Sequence, residues 1–314
     1  MKRLFYFVLL LVGVSTIHSC KDLLDEDGNP LLDINDNSGL NGPRALYREI
    51  TDSDTLATYY YNGLQLNKVI TDSASVTDVA WSGDKVSRID FKGFLDIDGD
   101  GELDKDSIYY TQQFTYGSTG RLETISENRS FFKRTPAVPP SITPGPQTLY
   151  KKTKTLYKLM YSATTAKLDS ILMHNGPDIS GPSFSYTDYS KTKIQYTGDN
   201  VTSIVRHYGP MTGSGNTAVY GAPVTKLSYG FSSYDASISP FTLIPNAYKI
   251  SRLLSTEDND IQGWIFSPNS PKRLSVTDLM LPVPTPTIFS TDYSYDKQTY
   301  MTKGFGINYI YKPL

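Results

Sequence analysis

From residue 55 onward, apolar residues alternate with polar ones in short runs, broken every 8–12 residues by Gly, Asn, Asp or Ser. Alternation of period two puts the apolar residues of a run on one face of a strand, so the body reads as all-β. One phrase recurs five times: an aromatic or apolar stretch, a polar turn of three to five residues, then alternating apolar residues ending in Val or Ile. The copies are YYYNGLQLNKVI (59–70), VAWSGDKVSRID (79–90), FTYGSTGRLETI (114–125), LMYSATTAKLDSI (159–171) and IQYTGDNVTSIV (194–205). After the turn, Val86 and Ile89, Leu122 and Ile125, Leu168 and Ile171, and Val201 and Ile204 stand three apart. That spacing suits a helix, or a strand carrying a bulge. The Tyr, Thr and Ser around them and the short runs decide for strands. Five copies predict an extended antiparallel meander of short hairpins. In Tyr59-Tyr60-Tyr61 the side chains must alternate, so at least one ring points outward.

One stretch has helical period. Leu243, Ala247, Ile250 and Leu254 predict a short helix near residues 243–255. Five prolines make 135–147 an irregular loop, and Pro282, Pro284 and Pro286 do the same later. The Gly-rich stretch 209–221 reads as a loop. The hairpin phrase stands on both sides of the first proline cluster, so residues 44–314 read as a single β-rich domain.

The N-terminus departs from this pattern. MKRLFYFVLLLVGVSTIHSC has two basic residues, an apolar run of about 11 residues and then Cys20, the chain's one cysteine. The run falls short of the ~20 residues of a membrane-crossing helix. It reads as a signal peptide over 1–19. Ile17-His18-Ser19-Cys20 resembles a bacterial lipobox, which implies a lipidated Cys20 and attachment to a membrane. Residues 20–43, rich in Asp, Asn and Gly, form an acidic tether that spans roughly 25 Å as a flexible coil. The chain from Cys20 carries 28 basic and 32 acidic residues, a formal charge of −4. That balance argues against a nucleic-acid partner, and a lone cysteine excludes an internal disulfide.

Lys21-Asp22 and Asp25-Glu26-Asp27 resemble the export signal of Bacteroidota surface lipoproteins. This implies an outer-membrane lipoprotein displayed on the cell surface, with a periplasm-facing one as the alternative. The hairpin phrase resembles, in weak form, the YD-type repeats of bacterial surface proteins. Tyr234-Asp235, Ser239-Pro240-Phe241 and Ser267–Pro271 resemble the C-terminal part of a group of Bacteroidota lipoproteins of unknown function. Ser239 replaces the usual Asn there. The resemblance implies a fold and a location and carries no activity.

Residues 96–107, DIDGDGELDKDS, hold the most specific chemistry. Asp96, Asp98 and Asp100 stand at positions 1, 3 and 5 of an EF-hand-type loop, Gly101 at 6, Glu102 at 7 and Asp104 at 9. Alternate carboxylates in a tight turn repel one another unless a hard cation neutralises them. Position 12 is Ser107 where the bidentate Glu belongs, and the flanks read as strand. The expectation is a weak structural Ca2+ site, with an affinity of about 10⁻⁴ to 10⁻³ M.

The chain has no HExxH, GxSxG or Walker loop. His174 and His207 read as ordinary strand or loop residues. Trp81 and Trp264 are candidates for stacking on sugar rings, weighed against a core role. The sequence thus points first to a non-enzymatic anchored β-module that binds or supports. A glycan-binding accessory lipoprotein of a polysaccharide-uptake system comes second, and a carboxylate-based hydrolase third. The partners implied are a membrane through the lipid anchor, and a glycan or surface protein.

Overall fold

The computed structural model describes residues 44–72, 74–97, 103–134, 145–179, 184–256 and 258–313. Cys20, the tether and most of the first proline-rich loop lie outside the described residues. After β1 (Arg44–Ile50), the five phrases form five antiparallel hairpins. These are β2–β3 (Thr55–Asn62, Gln65–Thr71), β4–β5 (Ser75–Ser82, Lys85–Gly93) and β6–β7 (Ser107–Tyr116, Leu122–Arg134). Then come β8–β9 (Gln147–Tyr161, Leu168–Pro177) and β10–β11 (Asp188–Thr197, Asn200–Thr212). The stretch expected as a loop from 209 instead continues β11 to Thr212 and returns as β12 (Val219–Tyr220).

All five hairpins share one irregularity. Ala80 pairs with Arg88 and Trp81 with Val86, leaving Ser87 as an extra residue. Asn67, Glu123, Asp169 and Thr202 are the extra residues of the other four. A bulge of this kind inserts one residue and re-aims the strand. It explains the spacing of three: Val86 and Ile89 both point inward, as do Leu66 and Val69, Leu122 and Ile125, Leu168 and Ile171, and Val201 and Ile204, all buried. Three turns are shorter than expected. Gly63-Leu64, Gly83-Asp84 and Gly198-Asp199 are two-residue turns, each with its glycine at φ near +60°. That is the first central position of a II′ turn. The space around each glycine is open, so backbone conformation selects it.

The hairpins are also joined to one another. In four of the five hairpins the aromatic before the turn, and in β13 (Thr225–Tyr234) Tyr234, reaches the carbonyl that precedes the bulge of a neighbouring strand. Trp81 Nε1 donates to Leu66 O at 2.8 Å, Tyr116 Oη to Val86 O at 2.8 Å and Tyr161 Oη to Leu122 O at 2.8 Å. Tyr61 Oη reaches Leu46 O on β1 at 2.9 Å, and Tyr234 Oη reaches Val201 O at 2.5 Å.

The meander curls on itself. β11 pairs with β13 (Thr225–Tyr234), which pairs with β14 (Pro271–Asp278) and then β15 (Thr287–Ser290). At the other end β1 pairs with β18 (Ile307–Pro313), followed by β17 (Met301–Gly304) and β16 (Ser294–Tyr295). Residues 291–305 span the seam: Thr291 N donates to Lys272 O at 3.0 Å and Phe305 N to Thr291 Oγ1 at 3.0 Å.

Residues 235–270 leave β13, cross the concave side and return to β14. They carry α1 (Asn246–Leu254) and a 3-10 segment (Asp258–Phe266). The helix starts later than its apolar spacing suggests, because Pro245 fixes the first turn and leaves Leu243 exposed before it. Ala247, Ile250 and Leu254 are buried in the same cluster as the strand residues. Gly263 lets the 3-10 segment rest on β11, since a Cβ there would meet Ile204 Cδ1 at 2.0 Å. The residues singled out as Tyr234-Asp235 and Ser267–Pro271 form the neck of this insert. Asp235 Oδ1 accepts from Ser270 N at 2.9 Å, and Asn269 Nδ2 donates to Ser237 O at 3.0 Å.

Candidate functional site

The insert occupies the inside of the curled sheet, so chemistry open to a ligand belongs to the outer wall and the loops. The wall is polar: Lys68 pairs with Asp78, Arg88 with Asp90, and Lys193 with Asp169. A lipid-facing barrel wall carries an apolar band instead.

Strand direction sorts the connections. The N-terminal end of β1 and the C-terminal end of β18 meet at Arg44 and Pro313, on the side of the short hairpin turns. Apart from the 235–270 insert, which leaves β13 on the short-turn side and folds inward, the longer connections, from Gly93 to Ser107, Arg134 to Gln147, Pro177 to Asp188, Thr212 to Thr225 and Asp278 to Thr287, lie at the opposite end.

Register brings three lysines into one row on the wall. Lys158 on β8 pairs with Leu172 on β9, and Leu172 with Lys191 on β10. Lys191 pairs with His207 on β11, and His207 with Lys226 on β13. Strands lie about 4.8 Å apart, so the three lysines recur roughly every 10 Å. Among the described residues none of the three has a carboxylate partner.

Aromatic rings overhang this row on the long-loop side. Lys191 Nζ stands 4.3 Å from the centre of the Tyr220 ring, a cation–π distance. His174 Nε2 and Tyr220 Oη are 2.9 Å apart, and the Tyr186 ring lies 5.4 Å from His174. Burial pushes the His174 imidazole pKa down, and Lys158 and Lys191 push it further. Burial likewise lowers His207, helped by Lys191 and Lys226. Both shifts favour the neutral imidazole, which can donate and accept hydrogen bonds. On the β7 side the wall opens into a hollow of about 390 Å³ bounded by Arg121, Glu123, Lys158, Tyr161 and Leu172.

The residues singled out from sequence lie elsewhere. Trp264 is buried, 7% exposed, with its ring edge-on to Phe241 at 5.4 Å. Trp81 is half-buried and holds Leu66 O. Of the acidic loop, Asp96 and Asp104 are described, while Asp98, Asp100 and Glu102 lie outside the described residues. Asp104 Oδ2 accepts from Ile97 N at 2.8 Å, and Asp104 N donates to Leu95 O at 3.1 Å, which closes the base of that loop. Cys20 also lies outside. Sequence reasoning passed over the two histidines and the lysine row, because their alignment depends on register between strands far apart in the chain.

No family model matches the chain, and no curated protein matches it. Two solved structures share part of its strand arrangement. A porin-like protein from Bacteroides vulgatus ATCC 8482 superposes with a TM-score of 0.44 at 10% identity, covering 86% of this chain and 100% of that one. A porin-like protein from Bacteroides uniformis ATCC 8492 gives 0.21 at 13% identity, covering 72% and 97%. At these scores the likeness carries no argument about function.

Proposed function

We propose that this chain is an outer-membrane lipoprotein, held at the cell surface by lipidated Cys20 and the 20–43 tether, that works as a non-enzymatic binding module. The observation that carries this reading is the sorting of the connections. The chain enters β1 on the side of the short turns, and the longer connections other than the inward-folded 235–270 insert join strands at the opposite end. A module tethered at Arg44 holds these longer loops away from the membrane, where a binding protein needs them. The weak resemblance of the recurring hairpin phrase to YD-type repeats belongs to the same reading.

Fractionation with surface biotinylation of intact cells tests this. The expected result is a membrane-bound protein labelled before lysis. Recovery from the soluble fraction overturns the anchor, and labelling only after lysis overturns surface display.

The second reading, a glycan-binding accessory lipoprotein, draws on the lysine row and its aromatic edge. Calcium is proposed as a structural pin held by Asp96, Asp98, Asp100, Glu102 and Asp104. It is supported by the hydrogen bonds that bring Ile97 and Asp104 together at the base of the loop.

A further inference from the structure

We infer that the outer face of β8–β13 binds an anionic polysaccharide, laid across the strands along the row Lys158–Lys191–Lys226. The inference rests on the binding-module reading above and names the ligand class of that module. Four observations converge on it.

The first is charge. Three ammonium groups stand in one cross-strand row with no carboxylate partner among the described residues, on a chain whose net charge is negative. Some other lysines of the wall are paired, as Lys68 is with Asp78 and Lys193 with Asp169; what sets the row apart is that its three lysines are aligned by register. A row of three aligned ammonium groups makes a local positive stripe that attracts an anionic chain.

The second is spacing. The lysines recur every second strand, roughly 10 Å. Nucleic acid carries a phosphate about every 3.4 Å along each strand. An extended acidic peptide presents side chains on one face about every 7 Å. A polysaccharide with one carboxylate or sulfate per disaccharide repeats its charge over a distance close to that of the row.

The third is the edge. Tyr220 and Tyr186 border the row beside His174, and Phe184 packs edge-on to Tyr186 at 4.9 Å. Aromatic rings offer flat apolar faces to the C–H faces of pyranose rings, and Leu172 lies as an apolar floor between Lys158 and Lys191. The fourth is hydrogen bonding. The His207 ring, between Lys191 and Lys226, is available to sugar hydroxyls. The hollow beside Lys158, bounded by both Arg121 and Glu123, marks the end of the row.

Affinity electrophoresis of the full chain in detergent tests the inference. The gels contain hyaluronan, which has one carboxylate per disaccharide, or neutral dextran, or single-stranded DNA. The expected result is retardation by hyaluronan and none by dextran or DNA. The triple variant Lys158→Gln, Lys191→Gln, Lys226→Gln should lose the retardation while its melting temperature holds. The control Lys68→Gln, Lys92→Gln, which alters lysines on β3 and β5, should keep it. If the triple variant does not fold, Lys191→Gln alone is expected to weaken retardation. Tyr220→Ala should also weaken it. The inference is overturned by no retardation in hyaluronan, by equal retardation in DNA, or by a folded triple variant that behaves like wild type. Failure here with the protein still membrane-bound and surface-labelled removes the ligand class and leaves the anchored module standing. Recovery in the soluble fraction removes the anchored module itself.

Discussion

Arg252 on the helix and Glu49 on the first strand form an ion pair at 3.0 Å, joining residues 203 apart in the chain. Tyr59 completes the group: Arg252 Nη1 donates to its hydroxyl at 2.8 Å, and that hydroxyl donates to Glu49. Burial and the Glu49 charge push the Tyr59 pKa up, which keeps the phenol protonated as a donor. With Arg206–Asp260 at 2.7 Å and Arg129 Nη1 to Ser255 O at 2.9 Å, the pair fixes the insert to strands around the sheet. Removing one partner of a buried pair leaves a charge unanswered, which costs about 3–5 kcal/mol. Arg252→Met should therefore destabilise by that order in urea unfolding. The double variant Glu49→Gln, Arg252→Met should recover a large part of the loss. Additive effects would show that the two residues do not act together.

The links between hairpins predict a smaller, distributed effect. Tyr116→Phe and Tyr161→Phe each delete one hydroxyl that donates to a carbonyl in the preceding hairpin. Each should cost about 0.5–1.5 kcal/mol. The two sites lie in successive hairpins, so the double variant is expected to sum. Urea midpoints unchanged by both substitutions would show that packing alone joins the hairpins.

Lys249 gives the fold a pH dependence. Its side chain is buried on α1, no hydrogen-bond partner of its ammonium occurs among the described residues, and burial pushes its pKa down to about 8. Between that value and the ordinary lysine value of about 10.4, the folded chain binds fewer protons than the unfolded one. Stability should therefore rise with pH from about 8 to about 10. Above that the buried tyrosines, whose pKa values are raised by burial, act in the opposite direction. Lys249→Met should flatten the rise and stabilise the protein below pH 8. Urea midpoints for wild type and variant at pH 7, 8, 9 and 10 provide the measurement. Parallel curves would contradict it.

The acidic loop between β5 and β6 predicts a metal response. Ten times the dissociation constant of calcium should stabilise the fold by about 1.4 kcal/mol. Millimolar Ca2+ is expected to raise the melting temperature of wild type and leave Asp98→Ala unchanged. No shift in wild type would remove the site.

The strands and hairpins were legible in the sequence, because alternation and turn residues act locally. The spacing of three in Val86 and Ile89 even carried the bulge. The helix was legible from Ala247, Ile250 and Leu254, while Pro245 set its true start. Closure of β1 on β18 was not legible, since no local rule links Arg44 to Pro313. Glu49 and Arg206 look like ordinary outward polar residues of a strand. They point inward because the insert supplies partners that only the tertiary fold brings near. The lysine row was hidden for a related reason. Lys158, Lys191 and Lys226 stand in separate phrases, and only the ladders between hairpins align them.

The attachment at Cys20 decides the account most directly. Cells grown with radiolabelled palmitate, expressing wild type or Cys20→Ala, provide the comparison. Label is predicted on the wild-type chain, which sediments with membranes, and none on the variant, which is predicted to be soluble. An unlabelled wild-type chain, or label that survives Cys20→Ala, contradicts it.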